Sequence, residues 1–197
     1  MKHLSHAAAL LSAVVLGAGC GDQPTSPSVS VLPSFSNGSS GSSGSKHGFG
    51  FNGTASGFPT GAVFLTGGGA YDPSTGSNTV PSETFVHSGG GFRCTADVGQ
   101  GPLKGCAAGE GVRWDTAQLL ASTVFKCTGS DAAKPAATSD HAVVLLADFY
   151  RAGDGIDESF TAQMIVSETD IAPEIPGNQN LWVQGVGCGS AVVHFSN

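Results

Sequence analysis

Charged side chains are scarce, at 12% of the chain, and no long stretch carries the three-and-four spacing of an amphipathic helix. That weighs against an α-helical fold. Bases are scarcer still, eight against fifteen acids. From Asp140 onward eight acids face a single base, Arg151. Nucleic acid is therefore excluded as a partner, because its phosphates need lysine and arginine. C-x-x-C, G-x-S-x-G, H-E-x-x-H and the EF-hand spacing are all missing. The zinc knuckle, the serine-hydrolase elbow, the zinc protease and the helix–loop–helix calcium site go with them. After the first twenty residues no apolar run is long enough for a membrane-spanning helix.

Glycine, by contrast, is abundant, with 30 residues, and short apolar runs recur between turn signals. This predicts an all-β fold: an antiparallel β-sandwich or barrel of about nine strands with two disulfides. The clearest signal is 141–167. Within it, 142–147 is apolar at both alternating sets of positions, as in a central strand covered on both sides. Phe160, Ala162, Met164 and Val166 share one face of the next strand, with Thr161, Gln163 and Ile165 on the other. Gly153-Asp154-Gly155 supplies the reversal between them.

The remaining strands are expected at 61–66, 83–87, 91–98, 112–114, 123–128, 181–186 and 191–195. Gly67-Gly68-Gly69 is expected to end the strand before it, and Asn52-Gly53 to form a turn. G-x-G-x-x-G at 48–53 lacks the strand before and the helix after that a nucleotide site needs, so it reads as a β-segment. Asp115 is positioned to cap one helical turn through Leu120. The stretch 129–140 reads as a polar loop, and GCGS at 187–190 as the last hairpin turn.

The N-terminus is a different object. Met1-Lys2 precedes an apolar run at 7–19, AAALLSAVVLGAG, which ends in small residues before Cys20. It resembles a bacterial lipoprotein signal peptide. Leu16 stands one place before the usual leucine position, while Ala18 and Gly19 fit the pattern. The resemblance implies a signal peptide over 1–19 and lipidation of Cys20, with the membrane as partner through that anchor. Gly21 after the cysteine implies an outer-membrane or cell-surface destination. Residues 20–46 are Ser/Gly/Pro-rich and too poor in apolar side chains to offset their ordering entropy, so they read as a tether. Residues 47–197 then form a single β domain.

With Cys20 assigned to lipid, Cys94, Cys106, Cys127 and Cys188 remain. Four cysteines in an exported domain imply two disulfides, with three possible connectivities. The expected pairs are Cys94–Cys106 and Cys127–Cys188. Sites are less legible. Asp148, Asp154, Asp157 and Glu158 give a glycine-containing loop the oxygen ligands calcium takes. Asp154, Asp157 and Glu158 also suggest the acids of a glycan- or peptide-active hydrolase. Trp114 and Trp182 are candidates for stacking on sugar rings. His47, His87, His141 and His194 lack metal-ligand spacing and read as surface or satisfied histidines. The function expected is a non-catalytic surface or periplasmic binding or structural module, with a protein or glycan as partner. No cofactor is required, calcium being the one suggested.

Overall fold

A computed structural model describes residues 45–151 and 159–197 of the chain. They form ten strands: β1 (His47–Gly57), β2 (Ala62–Tyr71), β3 (Val86–Ala96), β4 (Arg113–Leu120), β5 (Ser122–Phe125), β6 (Lys134–Ala137), β7 (Ala142–Tyr150), β8 (Ser159–Ser167), β9 (Leu181–Val183) and β10 (Gly187–Ser196). Eight of them close into an antiparallel barrel in the order β1-β2-β3-β4-β7-β8-β9-β10, with β10 pairing back onto β1. The pair β5–β6 is a separate hairpin inserted between β4 and β7. No α-helix occurs among the described residues; Pro73–Thr75 and Pro81–Glu83 are single 3-10 turns. A barrel, rather than a sandwich, is thus the form the β fold takes.

Alternation decides what lies inside. Phe49, Phe51, Leu65, Tyr71, Phe92, Trp114, Leu145, Phe149, Met164 and Val183 all belong to one buried cluster filling the lumen. Trp114 is completely buried, and its Nε1–H donates to the Thr66 carbonyl at 2.9 Å. Outward positions on β1 and β10 carry Asn52, Thr54, Ser56, Ser190 and His194, with Val192 the one large apolar residue among them, all exposed. This polarity is the reverse of a membrane-spanning barrel, whose outside is apolar and whose lumen is polar.

On one part of the barrel the outward residues are apolar too. Val144, Ile165 and Trp182 form a second cluster with Leu120 and Phe125, beneath the β5–β6 hairpin and the connection containing Ala172. The β7 strand is therefore covered on both sides, as its sequence implies. Both disulfides form with the expected connectivity. Cys94–Cys106 has a Cα separation of 6.2 Å, and Cys127–Cys188, at 4.6 Å, ties the end of the hairpin to β10.

Several local expectations are corrected. The helical turn after Asp115 does not form, because β4 runs on to Leu120 in register with β7. A register shift between Thr116 and Gln118 changes the parity of the strand, so that Trp114 and Leu119, an odd number of residues apart, both enter the lumen while Leu120 lies under the hairpin. Asn52-Gly53 is not a turn but mid-strand in β1. Gly67-Gly68-Gly69 does not end β2, which continues to Tyr71. At Gly67, φ is +151°, and a Cβ there would collide with the Gly89 carbonyl and stand 2.8 Å from the Trp114 ring. Glycine makes room for the largest lumen side chain, a tertiary reason that resembles a turn signal in sequence. The 129–140 stretch contains β6, whose Pro135 is tolerated on an edge strand. The last hairpin turns at 184–186, closed by Val186 N–H to Val183 O at 3.0 Å, so GCGS lies within β10.

Candidate functional site

A lumen filled by aromatic and aliphatic side chains directs attention to the barrel's outer surface. There, a solvent-open groove of about 560 Å³ lies over β2 and β3. That volume is within the usual range for ligand pockets, about 300–1,000 Å³. Its floor is Thr66 and Gly91, one side is Phe64 and Arg93, and the other is the segment 109–112 with Gly109, Gly111 and Val112. Phe64 points outward because its neighbours Val63 and Leu65 point into the lumen, both fully buried. Arg93 points outward for the same reason, between buried Phe92 and Cys94. The β2–β3 register sets Phe64 directly opposite Arg93. Phe64 is 38% exposed and Val112 56%.

The far wall is held rigidly. Cys94 N–H donates to Glu110 O at 2.7 Å, and Gly109 N–H to Cys94 O at 2.7 Å. Phe92 N–H reaches Val112 O at 3.3 Å, and Val112 N–H reaches Tyr150 O at 3.0 Å. The Cys94–Cys106 disulfide closes the loop leading into this wall. Arg151 Nη2 donates to both Glu110 carboxylate oxygens, at 3.1 and 3.0 Å. The Ala107 N–H, first, and the Arg151 guanidinium, second, hold the Glu110 carboxyl below its ordinary value. A wall fixed in this way loses little further freedom when something binds against it.

Charge is unevenly placed. All three arginines of this acidic chain stand around the groove. Arg93 lines it, Arg113 faces Gly91 across the β3–β4 register, and Arg151 grips Glu110. Arg113 lies 4.4 Å from the Tyr150 ring centroid and 3.7 Å from Asp115. The Arg93 guanidinium has no hydrogen-bond or ion-pair partner among the described residues.

No family model, curated protein or solved structure matches the chain. What can be said of the site therefore rests on its own geometry.

The residues singled out from the sequence are dispersed. Trp114 lies in the lumen against Phe51, and Trp182 lies under the hairpin against Phe125, its Nε1–H donating to Lys126 O at 2.8 Å. Neither ring has an open face for a sugar in this arrangement. Asp148 is on the outer side of β7, accepting from Thr161 Oγ1 at 2.6 Å and facing Asp115 across the register. Asp154, Asp157 and Glu158 lie outside the described residues, as does Cys20. Among the described residues, no three His, Cys, Asp or Glu side chains converge to hold a metal ion.

His47 is buried and satisfied at the barrel's open end. Its Nδ1 contacts Asn197 Oδ1 at 2.8 Å, and its Nε2 contacts Ser45 Oγ at 2.8 Å with Asp140 at 3.5 Å. It ties the first strand to the last residue. The Tyr71 ring lies tilted against it at 5.8 Å, and the Tyr71 hydroxyl donates to Ser139 O at 2.7 Å. Burial first, and the Asp140 charge second, push the Tyr71 phenol well above its ordinary value. The groove residues Phe64 and Val112 were not singled out by sequence reasoning. A usable signal did exist: strict alternation puts an aromatic residue and an arginine outward at 64 and 93.

Proposed function

We propose that this chain is an exported β module, anchored to a membrane through lipid on Cys20, which works by binding rather than by catalysis. Residues 20–46 serve as its tether, and the outer membrane or cell surface is its location. The observation that carries the reading is the contrast between a lumen filled by side chains and a rigidly walled groove outside it. A packed barrel offers its surface, not its interior, to a partner. Two disulfides fit an oxidising compartment. The signal-peptide resemblance supplies the address.

The test is the N-terminus and its consequence for fractionation. Mass spectrometry of protein isolated from its native membranes should find Cys20 as first residue, carrying acyl chains. Cys20→Ser should move the protein from the membrane fraction to the soluble one. An intact Met1 on a protein with four free thiols would end the proposal.

A further inference from the structure

We propose that the groove over β2 and β3 binds a peptide segment presenting an apolar side chain beside a carboxylate. This deepens the binding reading above and rests on it. Among the described residues five large apolar side chains are exposed, and two of them, Phe64 and Val112, line this one groove. They stand on opposite sides of the groove, and an apolar side chain placed between them would remove both from water. Beside Phe64, in register, stands Arg93, a guanidinium without an acid among the described residues. Its planar fork suits a carboxylate. Arg113, one diagonal step away, adds to the positive field.

Gly91 on the floor and Gly109 on the wall carry no side chains, so an extended backbone can lie close along the groove there. An acyl chain with a carboxylate head shares part of this chemistry. It would need walls that enclose its length, whereas this groove is open along its length. Aromatic and arginine side chains grouped on a rigid support are the residue types that dominate protein interfaces.

The experiment is fluorescence anisotropy with the purified protein and labelled decapeptides. The probes are an alternating Leu–Glu peptide, the same peptide with Gln for Glu, and the same peptide with Ser for Leu. Polygalacturonate and oleate serve as competitors. The Leu–Glu peptide should bind at least ~10-fold more tightly than either substituted peptide. Arg93→Gln should reduce Leu–Glu binding to the level of the Gln peptide and leave Gln-peptide binding unchanged. Phe64→Ser, at an exposed position, should weaken the Leu–Glu peptide by ~10-fold or more while the melting temperature holds.

Equal affinity for the Gln peptide, or no effect of either substitution, would overturn the proposal. Competition by polygalacturonate or oleate that depends on Arg93, without Leu–Glu binding, would also overturn the peptide class while leaving a binding function intact. The N-terminal mass and the fractionation of Cys20→Ser do not depend on any of these outcomes.

Discussion

Part of the outward face of β7, β8 and β9, centred on Val144, Ile165 and Trp182, is buried, whereas that of β2 and β3 stays open at Phe64 and Arg93. The inward sides of these strands are alike, each lining the same lumen. What differs is how many apolar residues meet on the outside. Leu120, Val144, Ile165 and Trp182 lie on neighbouring strands and together present a patch large enough to hold a covering layer, supplied by Phe125 and Ala172. Phe64 is flanked in register by Thr54 and Arg93, and among the described residues no layer covers it. Val144, Ile165 and Trp182 are covered because they adjoin one another across the strands, whereas Phe64, between polar neighbours, stays open.

The largest effect should come from the lumen shared by both faces. Trp114→Ala removes a fully buried ring and leaves the Thr66 carbonyl without its donor. Urea denaturation should show a loss of about 3–5 kcal/mol. A loss under about 1 kcal/mol would mean that the two faces do not lean on a common core.

The disulfides separate the faces. Cys127–Cys188 closes a span of 61 residues and Cys94–Cys106 one of 12. Chain-entropy reasoning gives about 4 and about 3 kcal/mol respectively. The paired serine substitution at 127 and 188 should therefore cost more, and should red-shift tryptophan emission as Trp182 loses its cover. The pair at 94 and 106 should leave emission nearly unchanged but loosen the groove wall. The reverse order of stability would break the comparison.

Single side chains sharpen it. Val144→Ala, under the hairpin, should cost about 2 kcal/mol. Phe64→Ser, on the open face, should fall within about 0.5 kcal/mol of wild type in the same denaturation assay.

Two titrations give smaller effects. Because the folded Tyr71 phenol is raised above its ordinary value of 10.0, its contribution is intact below that pH and is lost as pH rises through the folded value. Tyr71→Phe should cost about 1 kcal/mol at neutral pH through the bond to Ser139, and the gap to wild type should narrow above pH 10.0. Glu110 has the opposite sign: its carboxyl is lowered from 4.5, so its contribution is present above that pH and fades as pH falls through the folded value. Glu110→Gln should flatten the acid limb of a melting-temperature profile.

The strands easiest to read were those whose burial follows from their own residues. Alternation in 160–166 and the two-sided apolar run at 142–147 locate β8 and β7 correctly. The cysteine pairing was also within reach, since each pair joins a strand to the loop or hairpin beside it. The misread places are those where a residue serves a distant neighbour. Gly67 looks like a stop and is room for Trp114. Leu119 and Leu120 look like a helical turn and are buried on opposite sides of one strand. Lys134–Ala137 has no strand character of its own and becomes β6 by pairing with β5.

The candidate site was legible only in halves. Arg93 reads as an outward residue, and Phe64 follows by the same parity. That they stand side by side depends on the pairing of β2 with β3, and the opposite wall depends on a loop folded back by Cys106.

Taken alone, the residues determine the class of this protein: many short strands, glycine-rich turns and four thiols that pair. Period-two patterning and turn chemistry are local properties, and a chain carries them wherever it goes. Closure into a barrel, the covering of one outer face and the making of the groove were decided by the tertiary structure. Each depends on which strands lie next to one another, and adjacency between residues far apart in the chain is fixed only when the whole sheet closes.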